Sequence, residues 1–267
     1  MNNPEQKAAV AAQDVETINF IAESKSLKEA LKSANLLKSL QFNTLISGEP
    51  GTGRHTLAAY MMPDAPVIHG DDPNLYKQIE GHGQVVIDRL AGVDSLSRIS
   101  QTIQKRGTKV VAITEDLSAL GAIESIFSVK IVLPPLSERE EDVPPLAQKF
   151  ADEIKEMFGE EDEEGSFAPD IGNLDLSRNA FSLRRSVFLQ YFAARMGKEE
   201  LLVLNEAYLS SRMDAGEDIY RRELSLYEVP LIRAGIKAFK SQLRMSHAFG
   251  LNRNTLRKKI TEWKEYL

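Results

Sequence analysis

Residues 42–61 read FNTLISGEPGTGRHTLAAYM, and their order decides the fold. Phe42 to Ser47 is a short apolar run with the length of a buried strand. Gly48-Glu49-Pro50-Gly51-Thr52-Gly53 breaks it, and helix-forming residues resume from about Arg54 to Met62. A strand, a glycine-rich turn and a helix in that order frame a phosphate-binding loop. Glycines let backbone N–H groups close around an anion, and the helix N-terminus favours negative charge. Gly48, Gly51, Thr52, Gly53, Arg54 and His55 are therefore candidate nucleotide-binding residues. Arg54 stands where such a loop carries lysine and His55 where it carries Ser or Thr. Arginine keeps the charge but is planar and bulkier, so the exchange is not conservative. Two readings of the loop stay open: it binds nucleotide, or it is an empty relic kept because the turn needs glycine.

Working outward, residues 24–40 place Leu27, Leu31, Ala34 and Leu37 at helical spacing. Val67 to His69, Val85 to Asp88, Lys109 to Thr114 and Val129 to Leu133 read as further short buried strands with helical stretches between them. Strands alternating with helices imply an α/β fold, a parallel sheet covered on both faces. Pro134 and Pro135 end the sheet, and Val143 to Phe158 reads as a helix. Residues 160–165 form an acidic break; helical patterns follow at 177–194 and 198–212, then a polar linker at 214–218. Residues 1–15 read as a frayed arm or short helix.

With no cysteine, disulfides and thiolate sites are excluded. The four histidines (His55, His69, His82, His247) show no metal-ligand spacing. Neither a signal-peptide pattern nor an apolar stretch long enough for a membrane span is visible, so the expectation is a soluble, cytoplasmic chain with no membrane contact. The net charge of −6 is unevenly distributed. From Lys240 onward seven Lys and Arg stand against Glu262 and Glu265, a surplus of five positive charges that leaves eleven negative on the rest. A basic end on an acidic body is the asymmetry of a chain with a separate nucleic-acid-binding module.

Residues 228–267 read EVPLIRAGIKAFKSQLRMSHAFGLNRNTLRKKITEWKEYL. Pro230 suits a first helical turn, and Ile232, Ile236 and Phe239 mark one apolar face. A short helix from Ser241 presents Met245, Ala248 and Phe249; Gly250 fits a left-handed C-cap and Asn252 an N-cap. The last helix carries Leu256, Ile260, Trp263 and Leu267 inward, with Arg253, Arg257 and Lys264 on another face and Asn254 and Lys258 beside them. Such a recognition helix puts arginine and asparagine at base edges and flanking cations on phosphates. An ordinary basic amphipathic helix would show the same pattern.

Residues 242–260, QLRMSHAFGLNRNTLRKKI, resemble the Fis-type helix-turn-helix. Gln242, Arg244, Gly250, Leu251, Arg253, Thr255, Leu256, Arg257, Lys258, Lys259 and Ile260 match its pattern, and Met245, Ser246 and Phe249 depart from it. The resemblance implies dimeric binding of double-stranded DNA through Gln242, Arg244, Asn252, Arg253, Asn254, Thr255, Arg257, Lys258 and Lys259. The preceding two-thirds resemble the AAA+ domain of NtrC-type sigma-54-dependent activators in GEPGTGRHTLA (48–58), VVIDRL (85–90), VVAITEDL (110–117) and LPPLSEREEDVPPLAQKF (133–150). That likeness implies an AAA+ P-loop sheet at 1–150, a small α-helical lid at 151–213 and the helix-turn-helix at 214–267. It implies ATP or ADP as cofactor, with Asp88 holding Mg²⁺. SLRR (182–185) stands for the family's sensor-two segment, making Arg184 a nucleotide contact.

The departures from that family carry information. The catalytic glutamate expected after Asp88 is Arg89, which cannot accept a proton from water. Counting back from Leu133, the arginine-finger slots fall near Ala119 and Ser125, and the loop that touches the sigma factor is missing. The sequence thus reads as a DNA-binding regulator, a homodimer or higher homo-oligomer, on a degenerate AAA+ body with no catalytic residue to assign. Contact with RNA polymerase fits this reading and contact with sigma-54 does not. The alternatives are an active sigma-54-dependent ATPase, and a protein-interaction module with secondary DNA contact.

Overall fold

The computed structural model describes residues 20–115, 126–159, 167–213 and 217–267. The N-terminal arm, the finger slots Ala119 and Ser125, the acidic break at 160–165 and residues 214–216 of the linker lie outside the described residues. The chain divides into two compact units, residues 1–195 and 196–267.

The first unit opens with α1 (Lys25–Lys38), whose N-cap Ser24 accepts from the Leu27 N–H. Leu27, Ala30, Ala34 and Leu37 recur at helical spacing and are all buried. Next come β1 (Thr44–Ser47), α2 (Arg54–Met61), β2 (Val67–His69), α3 (Leu75–Gly81), β3 (Gln84–Asp88), α4 (Leu96–Arg106), β4 (Lys109–Thr114) and β5 (Val129–Val132). The five strands form one parallel sheet in the order β2-β3-β4-β1-β5. All five strands stand where the sequence places them.

Side-chain alternation splits the core into two layers. Ile46, Val86, Val111, Ile113 and Ile131 point to one face, under α1 and α2. Their neighbours Leu45, Val85, Ile87, Val110 and Ala112 point to the other, under α3 and α4. Coverage of both faces explains why β1 and β4 are buried at every position. Lys109 is the charged residue in these two strands. Its ammonium donates to the Leu37 and Lys38 carbonyls at 2.6 and 3.0 Å, closing the C-terminal end of α1, and burial pushes its pKa down.

A helical pair completes this unit: α5 (Val143–Phe158), as read from the sequence, and α6 (Ala180–Arg195). Ala147, Ala151 and Ile154 of α5 pack on Leu183, Val187 and Tyr191 of α6.

The second unit begins with α7 (Lys198–Ser210), on which Leu201, Leu202, Val203, Leu204 and Tyr208 are exposed. Then come α8 (Ile219–Glu223), α9 (Ser225–Phe239), α10 (Gln242–Ala248) and α11 (Arg253–Glu262). Ile232, Met245 and Leu256, one from each of the last three helices, form the buried centre. Gly235 permits the contact between α9 and α10: a Cβ there would sit 2.5 Å from the Phe249 ring and 2.7 Å from the Met245 sulfur.

Several expectations fail in this unit. Ile236, read on the apolar face of α9, is 47% exposed, and Ala248, read on the packing side of α10, is exposed as well. Pro230 lies inside α9 rather than in its first turn, because the helix starts at Ser225 and runs through it. Leu267 is 41% exposed rather than inward, because the α-helix stops at Glu262 and a 3₁₀ turn at Lys264–Tyr266 shifts the phase.

Candidate nucleotide site and candidate nucleic-acid interface

The glycine loop closes by left-handed backbone: Gly51 has φ 82° and Gly53 φ 103°. Three successive carbonyls are held from outside. The Pro50 carbonyl accepts from Asn179 Nδ2 at 3.0 Å, the Gly51 carbonyl from the Ala180 N–H at 3.1 Å, and the Thr52 carbonyl from Arg139 Nη2 at 2.7 Å. Carbonyls engaged on the outside suit a loop that offers N–H groups within, as an anion cradle requires.

The donors are themselves fixed. Asn179 sits at φ 53° and accepts from the Leu136 N–H through Oδ1 at 2.6 Å. Arg139 is 3% exposed. Its Nε donates to the Pro134 carbonyl at 3.1 Å and its Nη1 pairs with Asp142 Oδ2 at 3.5 Å. Burial lowers the Arg139 pKa, and the Asp142 charge and hydrogen bond act against that. Asp142, fully buried, also accepts from the Glu23 and Ser24 N–H groups at 2.6 and 2.9 Å and from the Ser24 hydroxyl at 2.7 Å. The segment after β5, the start of α1 and the loop are thus one polar network.

A cavity of about 310 Å³ lies over the loop, lined by Pro50, Gly51, Arg54, His55, Asp88, Arg89, Ile113, Thr114, Glu115 and Phe181. Of the candidates read from sequence, Gly51, Arg54, His55 and Asp88 meet there. Gly48, Thr52 and Gly53 shape the loop without lining the cavity, and the Thr52 hydroxyl donates to the Glu49 carbonyl at 2.8 Å. Arg184 is elsewhere: it pairs with Glu153 of α5 at 3.3 Å and lies near the Phe150 and Phe188 rings. Its place on α6 faces the helical pair, and the α6 residue that lines the cavity is Phe181, in the first turn.

The Mg²⁺ position does not fit a magnesium ion. His55 Nε2 lies 2.9 Å from Asp88 Oδ1, and His69 Nδ1 lies 3.4 Å from Oδ2. Histidines that look scattered in sequence converge here, because His69 and Asp88 are partners in the β2–β3 register and His55 lies in the first turn of α2. Mg²⁺ demands oxygen ligands in tight octahedral geometry. Here an imidazole replaces the hydroxyl and is hydrogen-bonded to one carboxylate oxygen, and a second imidazole nitrogen lies 3.4 Å from the other. Among the described residues, no group of three or more His, Asp or Glu is arranged to hold a metal ion. No helix among them is long and apolar enough to cross a membrane.

In the second unit, α10 and α11 are joined by a left-handed Gly250, φ 63°, with the Gly250 and Leu251 N–H groups returning to the His247 and Ser246 carbonyls at 3.1 and 3.0 Å. Asn252 caps α11, its side chain accepting from the Asn254 N–H at 2.8 Å. Gln242, Arg244, Asn252, Arg253, Asn254, Thr255, Arg257 and Lys258 are all exposed. Lys259 is placed apart from them. It is half-buried, and its ammonium pairs with Glu228 of α9, which also accepts from Trp263 Nε1 at 2.8 Å.

Burial would push the Glu228 carboxyl up, but the hydrogen bonds from Lys259 and Trp263 outweigh it and hold its pKa below the usual value. A depressed carboxylate contributes stability above its unfolded pKa and loses it as pH falls through the folded one. Glu228→Gln should cost this unit about 2 kcal/mol at neutral pH, and little once the solution is acid enough to protonate Glu228. Urea unfolding followed by Trp263, the sole tryptophan, checks this; a cost unchanged by pH would contradict it.

No protein-family model matches the sequence. A 76-residue stretch is 40% identical to the DNA-binding transcriptional regulator NtrC of Bradyrhizobium sp. (strain RP501 Parasponia), covering 26% of this chain and 16% of that protein. The structure superposes on NtrX from Brucella abortus in complex with ADP with a TM-score of 0.57 at 16% identity, over 96% of this chain and 72% of that one. The complex of the same protein with ATP gives a TM-score of 0.51 at 17% identity, over 97% and 72%. The chain shares the α/β fold of NtrX. In this fold the loop after β1, Asp88 at the end of β3 and Thr114 at the end of β4 stand side by side, as the central strand order requires.

Proposed function

We propose that this chain is a sequence-specific, DNA-binding transcription regulator whose NtrC-type AAA+ body binds ATP or ADP without hydrolysing it. The observation that carries the DNA reading is α11. A left-handed turn and an Asn252 cap fix its start, its inner face is anchored by Leu256, and Arg253, Asn254, Arg257 and Lys258 face solvent. Lys259, spent on Glu228, is left out of the contact set. The NtrC relative, named as a DNA-binding transcriptional regulator, supports the reading. The DNA-binding module is taken as residues 214–267, acting as a two-fold pair on double-stranded DNA in the cytoplasm.

Nucleotide binding is supported by the preformed loop and by the ADP and ATP complexes of NtrX. The lack of hydrolysis follows from Arg89, which lines the cavity where a water-orienting carboxylate would be needed. Without the sigma-contacting loop, output runs through DNA occupancy or RNA polymerase rather than sigma-54. The exposed apolar residues of α7 favour association with a further copy of the chain.

The test is selection of duplexes from a random pool by the purified chain, with phosphate release from ATP measured on the same preparation. A shared two-fold-symmetric sequence and no turnover above background are expected. An unenriched pool would remove the DNA reading, and turnover abolished by Asp88→Asn would remove the non-hydrolysing one.

A further inference from the structure

In loops of this kind a hydroxyl and the aspartate of the neighbouring strand hold Mg²⁺ between the outer phosphates, and the ion neutralises their charge. Here those two positions are bonded to each other. His55 Nε2 lies 2.9 Å from Asp88 Oδ1, His69 Nδ1 approaches Oδ2 at 3.4 Å, and the Asp88 side chain is only 12% exposed. The carboxylate oxygen that would face the ion therefore already has an imidazole as its partner.

The cations that could serve the phosphates instead are also in place. Arg54 opens α2 with its side chain 6% exposed, lines the cavity, and has a long 3.4 Å contact to the exposed Glu115. Arg89 lines the same cavity from a left-handed backbone at φ 53°. That bend is buttressed. The Gly70 N–H donates to the Asp88 carbonyl at 2.7 Å, and a Cβ on Gly70 would come within 2.4 Å of the Arg89 carbonyl oxygen. A glycine therefore holds Arg89 where a water-orienting acid would otherwise stand.

We propose that this site takes the diphosphate of an adenine nucleotide without a divalent cation, Arg54 and Arg89 supplying the charge that Mg²⁺ supplies elsewhere. The proposal rests on the nucleotide reading above and specifies the form of the ligand: the metal-free nucleotide. It also joins two features that are otherwise separate, a loop built for an anion and a metal position that is closed.

The experiment is titration of the full chain with a fluorescent ADP analogue, once in millimolar MgCl₂ and once in EDTA, with thermal melts of the nucleotide-free protein as a folding control. Binding at least as tight in EDTA as in Mg²⁺ is expected. Binding that weakens tenfold or more in EDTA overturns the inference and leaves the nucleotide reading standing. No binding in either solution removes the nucleotide reading, and the inference with it. His55→Thr, which restores the hydroxyl and frees Asp88 Oδ1, should shift the ratio toward Mg²⁺ by fivefold or more with an unchanged melt. A ratio that does not move overturns the role assigned to His55.

Discussion

Asp142→Ala should destabilise the α/β body by about 3–5 kcal/mol, the range for stripping one partner from a buried charge pair. Arg139 would stay 97% buried with two backbone carbonyls as its only acceptors among the contacts seen, and no counter-charge beside it. The Glu23 and Ser24 N–H groups and the Ser24 hydroxyl would lose their acceptor together. Total stability of a domain is about 5–15 kcal/mol, so this one change removes a large share of it. The cost should also reach the nucleotide loop, since Arg139 positions the Thr52 carbonyl. Equilibrium urea unfolding followed by far-UV circular dichroism reads it directly. Asp142→Asn, which keeps an acceptor oxygen, should cost less. A loss below about 1 kcal/mol for the alanine variant would show that the network is peripheral to the fold.

The second large effect concerns DNA. Arg253 and Arg257 stand one helical turn apart on the exposed face of α11, and each is placed to make a bidentate contact to a guanine. Each alanine substitution should weaken binding to a selected duplex by about 1–3 kcal/mol, and the double variant by roughly the sum if the contacts are independent. Both side chains are exposed, so the melt of the free protein should not move. Fluorescence anisotropy of labelled duplex gives the affinities. If the double variant binds as tightly as the parent, α11 is not the reading helix.

Much of this was legible in sequence because it rests on local rules. The five strands are short apolar runs closed by glycine, proline or an acid, and α5 is announced by its prolines and apolar spacing. Gly250 and Asn252 are each set by backbone demands that few residues meet. What stayed hidden depends on residues distant in the chain. The clamp on the loop joins Asn179 to Pro50 and Arg139 to Thr52, and nothing at either position alone signals the other. The His55–Asp88–His69 cluster needs strand register to form. Arg184 and Lys259 match family positions in sequence, yet packing sends one to Glu153 and the other to Glu228. Pro230 misled because proline is commonest in first turns, while the frame of α9 is set by tertiary burial of Val229 and Ile232.

The claim that matters most is that the basic end of an acidic chain reads a DNA sequence. It is tested by titrating the full chain at about 0.15 M salt with its best selected duplex and with a scrambled duplex of the same composition. Binding to the selected duplex tighter by about 10³-fold or more is the predicted result. Equal affinity for the two would contradict the account.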